Sequence, residues 1–320
     1  MKERAIKHTQ IYPVGGGKGG IGKSMITANI GTLLARKGKR VMLVDLDLGS
    51  SNLHTFLEVS DSQKGLDRFL DKQVDALEKA AVPTAVPNLS FIGSRHCGTE
   101  AANLYTAQKQ KIIRGLRNLD VDYVLMDLGA GTNFNMLDFF LTDNQGICIL
   151  TSEPTAIENT FNFIKSVYFR VVKRTLKLSE FNQVTKKMDL SGNRLDQSFL
   201  IVNEIAKNDP EIGARLKERL KEFQFKFVVN QVRQKDDPAL GTKIEKVCNR
   251  HFYSRFTFLG NIRYDEKVHD SIQLRQNFIS RYAYTKTAND LSRIARNLLE
   301  GDDKEREEKK GAPDPMKEGS

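Results

Sequence analysis

Short apolar runs bounded by turn residues recur along the chain, and between them lie longer segments with apolar positions every third or fourth residue. The runs fall at 10–14, 41–46, 89–92, 123–127, 146–150, 199–202, 225–229 and 257–259. Such alternation predicts the α/β class, a mostly parallel sheet with helices on both faces. After the first run, Ile26, Ile30, Leu33 and Leu34 share one helical face, and Gly38 marks its end. The stretch 170–226 is long for a single crossover and reads mainly as helix. Within it Asp209-Pro210 is a helix start, followed by Ile212, Leu216, Leu220 and Phe223 at helical spacing. The expected organisation is one domain over 1–300 with this helical elaboration, its last helix around Leu291 to Leu299, and a charged, disordered tail over 301–320.

Composition narrows the setting. Hydrophobic residues make up 39% and charged residues 28%, an ordinary globular mix, and no apolar run approaches the ~20 residues that cross a bilayer. The opening MKERAIKHTQ has no apolar core of a leader peptide, so a cytoplasmic location is expected. Cys97, Cys148 and Cys248 are far apart without a CxxC pair, which argues for reduced thiols and against a zinc or iron–sulfur cluster. A net charge of +10 fits anionic partners. Arg170, Lys173, Arg174 and Lys177 fall on one helical face opposite Ile164, Tyr168, Val171 and Val172. Such a stripe reads either as solvated surface or as a docking face for DNA or an anionic membrane, which would place the protein on the nucleoid or the inner membrane face.

The chemistry starts at residues 17–24, GKGGIGKS, a complete G-x-x-x-x-G-K-S between a strand and a helix. In this arrangement backbone N–H groups of Gly17, Lys18, Gly19, Gly20, Ile21, Gly22, Lys23, Ser24 and Met25 turn around phosphates, helped by the helix N-terminus. Lys23 would reach the β- and γ-phosphates and the Ser24 hydroxyl would bind Mg²⁺. The second strand ends in Asp45 and Asp47, where open α/β sheets bind ligands; alone, such a pair also reads as a cap or loop acid. The run at 123–127 ends in Asp127, a candidate for Mg²⁺, followed by Gly129 and Gly131, which leave the backbone free near a γ-phosphate. Asn230 closes a strand and can pair with the edge of adenine, or serve as a turn residue.

Lys18 inside the loop makes KGGIGKS, which resembles the deviant Walker A motif of the MinD/ParA family. VMLVDLDLGSSN at 41–52 resembles that family's switch I, YVLMDLGAGT at 123–132 its Walker B and switch II, and TSEPTAIENT at 151–160 a MinD segment. DLGAG is closer to MinD and FlhG than to ParA. The resemblance implies a homodimer sandwiching ATP and Mg²⁺, with Lys18 reaching the partner's ATP as an arginine finger would. It also implies that Lys18, Lys23 and Asp47 are catalytic, Asp47 positioning the attacking water. Asp45 would lie nearer the Mg²⁺ shell formed with Ser24 and Asp127, Asn52 would be a switch residue, and Asn230 would contact adenine. The implied function is a slow ATPase, stimulated by a partner protein, that positions a division site, flagellum or polar complex. The alternative is a ParA-like ATPase holding DNA non-specifically. FLGNIRYDEKV at 258–268 resembles the family's late strand and adenine-side loop, with a departure in that Arg263 stands where proline is usual; a second departure is Pro13, which interrupts the first strand.

Overall fold

Strands buried on both faces carry near-continuous apolar sequence, and this holds for the three at the centre of the molecule: β1 (Gln10–Gly15), β2 (Val41–Leu46) and β5 (Tyr123–Leu128) are buried at every residue. The computed structural model describes residues 9–59, 65–94, 97, 104–187 and 198–311. With β3 (Val82–Pro83), β4 (Leu89–Ile92), β6 (Gln145–Thr151), β7 (Gln224–Val232) and β8 (Arg255–Arg263) they form one eight-stranded sheet in the order β3-β4-β2-β5-β1-β6-β7-β8. Only β3 runs antiparallel. The helices are α1 (Lys23–Arg36), α2 (Leu66–Leu70), α3 (Thr106–Arg117), α4 (Phe134–Phe140), α5 (Pro154–Thr175), α6 (Leu178–Lys187), α7 (Ser198–Asn208), α8 (Pro210–Lys221), α9 (Leu240–His251), α10 (Glu266–Gln273), α11 (Phe278–Arg281) and α12 (Lys286–Gly311).

Alternation along each strand divides the core between the two faces. Met42, Val44 and Leu46 of β2 join Val124, Met126 and Leu128 of β5 on one face, under α3, α4, α5 and α8. Val41, Leu43, Tyr123 and Leu125 turn to the other face, under α1 and α12. The helices therefore cover both sides, and the carboxyl ends of the parallel strands share one edge, where the loops after β1, β2, β5 and β7 meet.

The structure differs from the sequence expectations at several places. The run 199–202 lies in α7, not in a strand: Val202 and Ile205, one turn apart, are both buried, and α7 packs on α5 and α8. A short apolar run carries no period of its own, and tertiary packing decided its state. The two-residue β3 has no run to announce it. Gly301 does not begin an unstructured tail, because α12 continues to Gly311, with Asp302 buried and bonded to the Tyr12 and Tyr123 hydroxyls; residues 312–320 lie outside those described. Pro13 is accommodated in β1 opposite Met126, and the ladder to β6 involves only Val14 and Gly15, beyond the proline. The basic stripe is not wholly outward, since Arg170 and Arg174 both pair with Asp138 of α4.

Candidate functional site

β1 delivers the glycine-rich loop to the carboxyl edge of the sheet, and α1 starts at Lys23 directly behind it. Two glycines have to be glycine. A Cβ on Gly17 would lie 2.1 Å from the Asn159 carbonyl oxygen of α5, and Gly22, the residue before α1, has φ 92° with Asn230 Nδ2 only 2.4 Å from where a Cβ would stand. Gly22 provides no side-chain cap, so the first N–H groups of α1 face open space, as an anion site requires. The loop is held from β7. Asn230 is buried and donates Nδ2 to the Ile21 carbonyl at 2.8 Å, while Gln231, in left-handed backbone (φ 58°), donates Nε2 to the Gly20 carbonyl at 3.3 Å.

Lys23 is buried with its ammonium 3.5 Å from the Lys18 carbonyl. Burial lowers its pKa, against the pull of Asp127 and Asp47. Lys18 itself is exposed, and its Nζ lies 2.8 Å from Glu153 Oε2 at the start of α5. An ion pair this open contributes at most about 1 kcal/mol, so it holds Lys18 only loosely.

Asp45 and Asp127 stand opposite one another at the ends of β2 and β5. Asp45 is buried, receives the Ser51 hydroxyl (2.8 Å) and the N–H groups of Asp47 and Leu53 (3.0 and 3.2 Å), and burial pushes its pKa up to about 6. It serves first to shape the turn after β2. Asp127 has no such support: both carboxylate oxygens are buried without a hydrogen-bond partner. Burial, reinforced by Asp45, raises its pKa well above the carboxylate range, while the Ser24 hydroxyl and Lys23 act in the opposite sense. Ser24 is thus close enough to be felt but outside bonding geometry. An orphaned, acceptor-only group beside a hydroxyl fits a hard divalent cation such as Mg²⁺, which needs few protein ligands when phosphates and water complete its octahedron. Among the described residues no cluster of three or more His, Cys, Asp or Glu side chains offers an alternative metal cage.

Asp47 projects beside Gly129, where a Cβ would sit 3.0 Å from its Oδ1, so glycine is what lets the loop after β5 approach it. A cavity of about 690 Å³ connects these groups; Gly19, Gly20, Gly22, Lys23, Ser24, Met25, Asp47 and Asn52 line one end. That volume suits a nucleotide. Asn230 and Gln231, which hold the loop, also line the cavity, and Arg263, Tyr264, Val268, His269 and Ile272 line the remainder. There the Arg233 guanidinium lies over the Tyr264 ring at 4.4 Å, and Arg263 Nη2 lies 3.5 Å from Asp290. Gly17, Lys18, Ile21, Asp45, Asp127 and Gly129 stand around this cavity without being among its lining residues. Val268 closes the 258–268 segment marked in the sequence, whereas Gln231, Glu153 and the α10 residue Ile272 were given no role from sequence. The spacing of Ile272 from Val268 is the only signal it leaves, and any amphipathic helix shows it.

A glycine-rich loop opening a helix, an orphaned acid on the neighbouring strand and a nucleotide-sized cavity define a P-loop nucleotide-binding domain. The chain belongs to the family described as the CobQ/CobB/MinD/ParA nucleotide binding domain, whose model matches residues 13–278. Among curated relatives, the septum site-determining protein MinD of Synechocystis is 29% identical over 61% of this chain and 68% of its own length. The antiactivator FleN of Pseudomonas aeruginosa is 28% identical over 52% of this chain and 59% of its own. The chain spans from about half to about two thirds of the length of the curated relatives it matches. Of solved structures, MinD of Pyrococcus horikoshii complexed with Mg-ADP superposes with a TM-score of 0.62 at 19% identity over 91% of this chain and 96% of that one. A plasmid partition protein from Borrelia burgdorferi gives 0.56 at 17% identity over 92% and 100%. No helix among the described residues is long and apolar enough to cross a membrane.

Proposed function

We propose that the chain is an ATP-driven dimerisation switch of the MinD/FlhG kind, which hydrolyses ATP slowly with Mg²⁺ and positions another cellular structure under the control of a partner protein. The observation that carries this reading is the Lys18-bearing loop together with the orphaned Asp127, both standing around one nucleotide-sized cavity. The relatives favour positioning: they include MinD and FleN, and one superposing structure is a MinC:MinD cell division protein complex from Aquifex aeolicus.

In this reading the N–H groups of the loop from Gly17 to Met25 bind the phosphates, and Lys23 neutralises the β- and γ-oxygens. Asp127 and Ser24 hold Mg²⁺, which supplies charge neutralisation at the phosphates. Asp45 keeps the turn after β2 in place, so that Asp47 is presented to a water. Gly129 and Gly131 let the loop after β5 respond to the γ-phosphate, and Asn52 completes the wall on the β2 side. Lys18 has to leave Glu153 to meet a second subunit's nucleotide, and their weak pairing permits it.

The test measures phosphate release and mass in solution with ATP and Mg²⁺. Wild type is expected to dimerise and turn over slowly, Asp47→Ala to accumulate as the ATP dimer, and Lys18→Ala to bind ATP as an inactive monomer. If Lys18→Ala dimerises as wild type does, the reading fails.

A further inference from the structure

The segment from Asp138 to Asn144 ends α4 and leads into β6, and four arginines from three helices converge on it. Arg170 of α5 forks the buried Asp138 carboxylate through Nε and Nη2 at 2.6 and 2.7 Å. Arg174, one turn further, places Nη2 3.1 Å from the same carboxylate and donates Nη1 to the Leu141 carbonyl at 3.4 Å. Arg117 of α3 donates Nε and Nη2 to the Thr142 carbonyl at 3.2 and 2.5 Å. Arg219 of α8 donates Nη1 to Asn144 Oδ1 at 3.0 Å and pairs with Glu222. Lys109 of α3 also pairs with Asp138.

One or two of these cations suffice to satisfy the carbonyls at the end of α4. The set present exceeds that need. Among the described residues, the acids at this segment that face Arg117, Arg170, Arg174, Arg219 and Lys109 are Asp138, Glu222 and Asp143, the last accepting the N–H of Asn144 at 2.7 Å. Lys173 of α5 and Lys177, in the junction between α5 and α6, are both exposed and add to the excess. Burial lowers the pKa of Arg174 against the pull of Asp138, and the like charges of Arg170, Arg117 and Arg219 act in the same sense as burial. Each guanidinium has five N–H donors, and the bonds named occupy about two of them. The side chains of Arg174 and Arg219 are 34% and 35% exposed, so their remaining donors are open to solvent.

The cluster is remote from the glycine-rich loop. The Asn144 carbonyl accepts the N–H of Gln224, which opens β7, at 2.8 Å. The arginines therefore gather at the amino ends of the parallel strands, whereas the nucleotide cavity lies at their carboxyl ends. Planar forks in excess of their carboxylates match phosphate oxygens in shape and charge. We propose that this arginine cluster is a second anion site that takes a ligand bearing phosphate charge, the chemistry shared by a soluble polyphosphate and an anionic phospholipid headgroup. Arg174 and Arg219 supply its outward donors, while Arg170 and Lys109 hold Asp138 beneath them.

The experiment uses the full chain carrying Lys23→Ala, so that the loop does not compete, and titrates it calorimetrically with tripolyphosphate. A parallel arm co-sediments it with phosphatidylcholine vesicles with and without phosphatidylglycerol. Adding Arg174→Gln and Arg219→Gln leaves Asp138 paired and is expected to weaken binding at least about tenfold, whereas Arg174→Lys with Arg219→Lys should weaken it less. A melting curve shows whether each variant is folded. Loss in both arms supports the shared phosphate chemistry, loss in the vesicle arm alone identifies the lipid as ligand, and loss in the calorimetric arm alone identifies a soluble phosphate. No binding in either arm, or equal binding with and without the two glutamines, overturns the proposal.

Discussion

Asn230 shows how a residue can be found for one reason and placed for another. Sequence marks it as an amide at a strand end, suited to a base. In the structure one N–H of its Nδ2 is committed to the Ile21 carbonyl, so it fixes the loop, and its oxygen and second N–H remain for a ligand. Asn230→Ala should therefore weaken ATP, GTP and tripolyphosphate alike, which competition against a fluorescent nucleotide would measure. A selective loss of ATP would mean that base reading dominates. Gly22→Ala should reduce nucleotide affinity at least about tenfold, because the new Cβ meets Asn230 in backbone that L-residues avoid. The phosphate end of the site was legible because each glycine, lysine and acid there has a fixed offset from a strand end. The base end was legible only in part: Tyr264 and Val268 fall in the 258–268 segment, but His269 and Ile272 come from a helix with no such constraint.

At the scale of elements, α4 begins just after the loop at Gly129 to Thr132 and is held at Asp138 by cations from α3 and α5. Burial alone would raise the pKa of that carboxyl, but hydrogen bonds from Arg170 and Lys109, with Arg174, outweigh it and leave the pKa below the usual aspartate range. A depressed folded pKa stabilises the native state above the unfolded pKa, about 3.9, and that stability is lost as pH falls through the folded value. Asp138→Asn should thus cost about 3 kcal/mol near neutrality, with the difference from wild type shrinking below about pH 4. Urea titrations at several pH values would show it, and a constant difference would exclude the ionised carboxylate as its source. The strands of the central sheet were readable from their apolar runs. The state of 199–202 was not, because only contact with α5 and α8 decides between a buried helix turn and a strand. The partly neutralised stripe was missed for the same reason: Asp138 is distant in sequence from Arg170 and Arg174.

Over the whole molecule, the last described helix closes onto the first strand. Asp302 of α12 accepts hydrogen bonds from Tyr12 of β1 and Tyr123 of β5, and Lys226 of β7 lies 4.0 Å from it while donating to Tyr12 and Gln145 at 3.1 and 3.0 Å. The side chains of Asp302, Tyr12, Tyr123 and Lys226 are all buried. Asp302→Ala would leave the Lys226 charge without its carboxylate, and a destabilisation of about 3 kcal/mol is expected. A fall in the urea midpoint at unchanged m-value would report it, while an unchanged midpoint would show that the carboxylate contributes nothing.

That same closure bears on how the protein comes into being. The strand that carries the glycine-rich loop is synthesised before its neighbours β5, β6 and α12, which follow over nearly the whole length of the chain. Pairings this distant in sequence make for slow folding, since loop closure precedes the contacts that reward it. A nascent chain would thus hold its most apolar strands unpaired through much of synthesis, which makes it a client for chaperones until residue 302 arrives.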